Sequence, residues 1–233
     1  MNNIYKGILN KHGKSYPYSV RKLTADYLPN ILHVQEQVVQ HLIEKDVLQP
    51  LSSEEFQFIL DGNGLMIGAF VGDELIAFRA LLVPVIDEEH LGWDIGLSKK
   101  ELPRVIYQEI SNVLPEYRGN QLQKTLASLI MQDLYTDPHR YRYVCCTVAP
   151  FNIPSLKDKF IQGMKIKALK QKYGGAMRYI FVKDLEEDEK KLWNETLAIR
   201  MDDFGAQQKK LAEGWQGFKM EEYEGHVWVH YRI

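Results

Sequence analysis

The sequence predicts a mixed α/β domain on a largely antiparallel sheet, followed by a small C-terminal α+β appendage. Three observations carry that expectation: β-branched apolar runs bounded by Gly and Pro, amphipathic helical spacing between them, and a charge run from Glu186 to Lys191 that sets off a different tail. The boundaries follow as 1–185 for the main domain and 186–233 for the appendage. With 233 residues, 45% of them apolar, the chain can bury a sizeable core. Twenty-nine Lys and Arg against 31 Asp and Glu give a formal net charge of -2, which supplies no broad cationic field, so a nucleic-acid partner is not expected. No window approaches the ~20 apolar residues of a membrane helix, and Met1 to Ser19 lacks the apolar stretch of a secretory signal. A cytoplasmic protein with no membrane partner is expected. Cys145 and Cys146 are neighbours in an apolar run, where a disulfide between them is disfavoured, and read as reduced core residues.

Taken in order, Tyr18 to Leu23 reads as a first strand. Thr24 or Asp26 then caps a helix through His41, with Leu28, Ile31, Leu32, Gln35, Val38, Val39 and Leu42 near helical spacing. Leu48 to Leu60 reads as a second helix with Ser52 or Ser53 as cap. Leu65 to Val71 and Leu75 to Val83 flank Gly72-Asp73-Glu74, a connection suited to a hairpin. The polar segment from Asp87 to Leu102, with Trp93 and Asp94 in its middle, reads as a long loop. Arg104 to Val113 is a strand stopped by Pro115, and a helical pattern carried by Leu122, Leu126, Leu129, Ile130 and Leu134 follows Gly119. Tyr143 to Val148 is another strand, Ile153 to Gln162 a short helix closed by Gly163, and Ile166 to Tyr173 with Met177 to Val182 a hairpin around Gly174-Gly175. The tail predicts a helix from Asp203 to Leu211 and a hairpin across Glu224-Gly225. Its aromatics Trp193, Phe204, Trp215 and Phe218 read as core, packed on the main sheet or on a second copy in a homodimer.

The chemistry lies in the strand, turn and helix at 105–134. A helix N-terminus leaves four unpaired N–H groups beside a partial positive charge, so a turn entering through Gly119 can hold phosphate oxygens, with Arg118 as a fixed cation. Gly119 merely opening a turn before a packed helix is the competing explanation. A P-loop fails, because Arg118 and Gln123 stand where glycines are needed around Lys124-Thr125. A dinucleotide fingerprint fails too, since Gly62-Asn63-Gly64 precedes a strand instead of following one.

The run Val113-Leu114-Pro115-Glu116-Tyr117-Arg118-Gly119-Asn120-Gln121-Leu122-Gln123 closely resembles the acyl-CoA-binding segment of the GNAT superfamily of N-acetyltransferases, roughly V-x-P-x-x-R-G-x-G-x-G/A. Downstream, Thr147-Val148-Ala149-Pro150-Phe151-Asn152, Ser155 and Gly163-Met164 resemble the next strand and helix of that superfamily. The resemblance spans about residues 18–184, with the hairpin at 65–83 where that fold places its second and third strands. It implies a central sheet with a V-shaped splay, where the strand through Val113 diverges from the one at Tyr143 to Val148 and receives the pantetheine arm of acetyl-CoA. The implied cofactor-binding positions are Val113, Leu114, Arg118, Gly119, Asn120, Gln121, Leu122, Gln123 and Lys124, with Asn152 near the thioester, Ser155 beside it, and Lys159 on a phosphate or on a solvated helix face. Gln121 and Gln123 replace the usual small residues, which is compatible with a cradle if their φ is negative. Lys159 stands where the family often has a tyrosine that protonates the leaving thiolate.

An amine with a pKa near ~10.4 must lose a proton before it attacks, at a cost of about 4.6 kcal/mol at pH 7, whereas a thiol with a pKa near ~8.5 leaves tolerably as the thiolate. A base therefore matters more than an acid. Glu109 and Tyr107 share one strand face by the two-residue period, provided no bulge intervenes, and are the catalytic candidates. Ordinary polar strand residues, or a Glu109–lysine pair, are the plain alternative, and Asp94 is a weaker candidate. His226 and His230 fall on one side of a strand without a third ligand, so no metal is expected. The resemblance implies direct acetyl transfer from acetyl-CoA to a primary amine of a small molecule in a ternary complex. A non-catalytic acyl-CoA sensor is the rival, and an interaction protein with a vestigial phosphate pocket a third class.

Overall fold

The computed structural model describes residues 3–42, 49–136, 140–187 and 193–233. The chain divides into two compact units, one of residues 1–84 with 106–138 and the other of 85–105 with 139–233. The boundary expected at 185/186 falls inside the second unit, and most of the charge run, residues 188–191, lies outside the described residues.

The first unit carries strands β1 (Tyr5–Lys11), β2 (Lys14–Lys22), β3 (Gly64–Val71), β4 (Glu74–Leu82) and β5 (Val105–Val113), antiparallel in that spatial order. The β1–β2 hairpin replaces the single strand expected at Tyr18 to Leu23. His12 and Gly13, with φ of 50 and 75, make a two-residue turn whose twist matches the strands it joins. Only Leu9, Tyr18 and Val20 of this ribbon are buried, too few to give the sequence a strand signature. The β3–β4 turn is also tighter than expected, because Val71 pairs with Glu74 and leaves only Gly72 and Asp73 between the strands.

Helix α1 (Leu28–Gln40) follows a 3-10 turn, and the Thr24 side chain makes no cap bond to that turn. Helix α2 (Ser53–Leu60) is capped by Ser52; Leu48, the start expected for it, lies outside the described residues. Phe56 of α2 meets the Phe78 ring edge-on with centroids 5.7 Å apart, so α2 covers the face of β4 that bears Phe78. Arg79 points to the opposite face, where its Nη2 donates to Gln108 Oε1 at 2.7 Å. The Gln108 amide in turn approaches Met131 Sδ of helix α4 (Leu122–Leu134). The first sheet is thus sandwiched between helices, and α4 holds the face away from α2.

The second unit orders β6 (Tyr143–Val148), β8 (Ala176–Asp184), β7 (Lys165–Lys172), β10 (Gln216–Tyr223), β11 (His226–Arg232) and β9 (Thr196–Arg200), again antiparallel. Helix α3 (Leu91–Asp94) and a 3-10 turn at Leu102–Arg104 break the segment expected to be a loop, which is anchored by buried Leu91 and Leu102. Helix α5 (Ile153–Ile161) and helix α6 (Phe204–Ala212) complete the unit. The tail is joined to β8 through Gln207, which is fully buried. Its Oε1 accepts from the hydroxyls of Tyr179 and Tyr231, both at 2.7 Å, while its Nε2 donates to the Met201 carbonyl at 2.9 Å. Such a satisfied buried amide fixes one arrangement of the three elements it ties. Of the four tail aromatics expected in the core, only Trp215 is buried. Cys145 and Cys146 are buried free thiols. Among the described residues no helix is long and apolar enough to cross a membrane.

Candidate active site

The strand, turn and helix of the first unit bring most of the expected positions together. Val113 and Leu114 are buried at the end of β5, with the Leu114 N–H donating to the Ile76 carbonyl at 3.0 Å. A 3-10 turn at Pro115–Tyr117 follows, and then Gly119 with φ of 81, a left-handed conformation that a side chain rarely adopts. A Cβ built on Gly119 would meet nothing within 4 Å, so the glycine answers a backbone demand and not a lack of room.

Gln121, the residue before α4, also has a positive φ of 56, which overturns the negative φ expected there. Gln123 is helical, as expected for a residue in the first turn. No side chain caps α4, and its first ladder bond runs from the Thr125 N–H to the Gln121 carbonyl at 3.0 Å. The N–H groups of Leu122, Gln123 and Lys124 therefore have no backbone acceptor among the described residues, and they sit at the positive end of a 13-residue helix. Arg118, Gly119, Gln121, Gln123 and Lys124 are exposed around this opening, whereas the Leu122 side chain is buried and only its amide is on offer. The arrangement suits a di-anionic oxygen cluster.

Asn120 has a different task. Its Oδ1 accepts from the Asn10 N–H at 2.8 Å, and its Nδ2 donates to the Asn10 carbonyl at 2.9 Å and the Tyr117 carbonyl at 3.1 Å. The turn is further held by the Tyr117 hydroxyl, which donates to Glu74 at 3.0 Å, and by Lys11 Nζ 4.1 Å above the Tyr117 ring. Asn10, Lys11 and Glu74 were missed in the sequence; only a recognised β1–β2 hairpin could have pointed to the first two.

Glu109 sits at a bulge. Ala80 pairs with Ile110 and Leu81 with Gln108, so β5 has one residue more than β4 there, and that residue is Glu109. The alternation expected to put Glu109 on one face with Tyr107 required that no bulge intervene, and this bulge interrupts it; bulges re-aim side chains in this way beside functional sites. Burial, with the Glu55 carboxylate of α2 adding repulsion, raises the Glu109 carboxyl to about 7. Both Tyr107 and Glu109 are half-buried. Buried Arg79 and Gln108, which pin the strand next to the bulge, escaped the sequence reading because nothing in their spacing marks them.

Asn152, Ser155 and Lys159 lie in the second unit. Asn152 caps α5, its Oδ1 accepting from the Ser155 N–H at 3.3 Å. Lys159 is buried, three residues after Leu156 on the inner face of α5, with Nζ 3.0 Å from Asp158. That corrects the solvated face expected for it. Asp94 faces Lys170 and Lys172, each at 2.8 Å. His226 Nδ1 lies 2.9 Å from the Glu224 carbonyl, and His230 Nε2 lies 3.0 Å from Glu221.

No protein-family model matches the chain, and no curated protein does. Solved structures do. NAA60 of Arabidopsis thaliana, in complex with a bisubstrate analogue, superposes with a TM-score of 0.57 at 19% identity, over 73% of this chain and 99% of its own. The ribosomal-protein-S18-alanine N-acetyltransferase of Escherichia coli gives 0.55 at 14% identity, over 76% and 99%. An acetyltransferase of the GNAT family from Streptococcus pneumoniae gives 0.53 at 14%, over 72% and 99%. The plant protein is also known in complex with acetyl-CoA. At these identities the likeness is one of fold.

Proposed function

We propose that this chain, which has the fold of the GNAT acetyltransferases, is an acetyl-CoA-dependent N-acetyltransferase acting on a primary amine. The observation that carries the proposal is the uncapped N-terminus of α4 behind Arg118-Gly119, reached from a strand whose bulge presents a carboxyl titrating near 7. Acetyl-CoA fits the first feature through its pyrophosphate, and when bound it supplies an acyl group on a thiolate leaving group. The amides of Gln121 to Lys124 and the Arg118 guanidinium hold the phosphate oxygens, each charge-assisted bond contributing roughly 1.5–3 kcal/mol. Asn120 does not bind the ligand through its side chain but keeps the turn in the shape that aims those amides.

Glu109 takes the proton from the acceptor ammonium, directly or through a water, so that the neutral amine attacks the acyl carbon. A carboxylate titrating near 7 is about three units below the amine, which makes it a usable base at neutral pH. Tyr107, two residues before Glu109 on β5, positions the acceptor. Lys159, engaged with Asp158, does not serve as the acid, and the thiolate leaves unassisted. Likeness to an S18-alanine acetyltransferase supports peptide N-termini as acceptors beside small amines.

The test pairs calorimetry of acetyl-CoA with thiol release over a panel of amines that includes polyamines and a peptide with an N-terminal alanine. Saturable acetyl-CoA binding and turnover with one acceptor class are expected. Binding without turnover on any amine would favour the non-catalytic sensor, and no binding would remove the cofactor assignment.

A further inference from the structure

A cavity of about 190 Å3 in the second unit is lined by none of the residues assigned to the acetyl-CoA cradle or to catalysis. Its volume is more than ten times the ~10–15 Å3 that admits a single water. It opens beside Tyr143, at the other end of β6 from Asn152.

One wall is apolar, formed by Ile95, Leu97 and Val182. The other carries charge of balanced sign, with Lys165 and Lys167 against Asp184 and Glu187. Both carboxylates are already engaged. Arg142 holds Asp184 through Nε and Nη2 at 2.9 and 2.8 Å, a bidentate fork that leaves little for a competitor, and Lys165 Nζ holds Glu187. An entering ammonium would have to displace one of these partners, and an entering carboxylate would lie among two like charges. The electrostatics therefore select an uncharged occupant.

Gln216, the first residue of β10, supplies the polar contact. It lines the cavity at 5% exposure, and its Oε1 is buried with no hydrogen-bond donor among the described residues. The oxygen of Gln207, also buried in this unit, accepts from two hydroxyls, so an orphaned oxygen is not general to the buried amides here. A buried acceptor left unmade is costly until a ligand or water completes it. A carboxamide edge carries an acceptor beside a donor, and a second carboxamide presents the complementary pair.

We propose that this cavity is a second binding site, for a small uncharged molecule with a primary amide and a short branched aliphatic group. The ligand N–H donates to Gln216 Oε1, its carbonyl accepts from Gln216 Nε2, and its aliphatic part rests on Ile95, Leu97 and Val182. The proposal is independent of the acetyltransferase assignment, because none of these residues belongs to the cradle of α4 or to β5.

Calorimetry on the full chain without acetyl-CoA tests it, with 3-methylbutanamide as probe. Saturable binding is expected. The acid 3-methylbutanoate and the amine 3-methylbutylamine keep the aliphatic part but carry a charge, and N,N-dimethyl-3-methylbutanamide has no N–H; each is expected to bind about tenfold more weakly or worse. Gln216→Leu is expected to weaken the amide about tenfold while leaving acetyl-CoA binding unchanged. Should that variant fail to fold, Leu97→Trp fills the cavity from its half-buried apolar wall and is expected to abolish amide binding. No saturable heat with the amide, equal binding of the acid, the amine or the dimethylated amide, or full amide affinity in the variant that folds would each overturn the site.

Discussion

Helices α2 and α4 of the first unit begin in opposite ways. At α2 the Ser52 hydroxyl accepts the Glu55 N–H at 3.2 Å while the Glu55 carboxylate accepts the Ser52 N–H at 2.7 Å, a reciprocal box that closes the terminus. At α4 a glutamine in a left-handed conformation stands where a capping residue would, and among the described residues no side chain caps the first turn. The missing cap costs about 1 kcal/mol, and a left-handed non-glycine residue costs about as much again. A helix that only has to be stable obeys its local rules, and one that breaks two of them at a single position has something other than stability to serve. The two ends are also linked electrostatically, because the same Glu55 that closes α2 helps to raise Glu109 on the strand leading to α4.

The difference can be broken most severely from that strand. Glu109→Gln is expected to lower kcat by roughly 10² to 10⁴ at and below neutral pH, with the deficit shrinking above it as the free amine supplies its own neutral form. The unaltered enzyme should show a rate that rises with pH and bends near 7, where Glu109 becomes ionised; the variant should keep rising past that point. A stopped assay from pH 6 to 9 reads both. Next in size, Gly119→Glu puts a carboxylate against the open terminus and forces a left-handed side chain, and acetyl-CoA is expected to bind about 100-fold more weakly by calorimetry. The same change at Gly62, which also has a positive φ and an open Cβ direction but follows α2, should leave acetyl-CoA affinity alone.

Smaller effects sharpen the contrast between the two caps. Ser52→Ala is expected to cost about 1 kcal/mol in urea unfolding with turnover per folded molecule unchanged. Gln121→Gly should gain roughly 0.5–1 kcal/mol by relieving the left-handed strain, and cofactor affinity should hold because only backbone amides are used there. Smallest of all, Glu55→Gln keeps the box but removes its charge, and the bend in the rate profile should move slightly downward in pH, since burial and not Glu55 is the larger cause of the Glu109 shift.

Legibility in the sequence followed the number of buried positions an element has. β6 was readable end to end because five of its six residues are buried, and α4 because its apolar stripe is continuous. β1 was not, since a strand with Leu9 as its one buried residue leaves no pattern, and β9, with none of its five residues fully buried, escaped for the same reason. Arg118 and Gly119 could be singled out from order and spacing alone. The bulge at Glu109 and the clasp at Asn10 could not, because each depends on which distant residue lies opposite, and register is not written in either strand by itself.

The pairing of Asn10 with Asn120 also bears on how the protein is made. The β1–β2 hairpin cannot complete its clasp until more than a hundred further residues have been synthesised, so the turn at Asn120 is finished late although half of its scaffold is present early. Shortened chains that begin after residue 11 would still carry the whole motif yet hold it slack, and a fusion partner crowding the first strand would do the same to an intact chain.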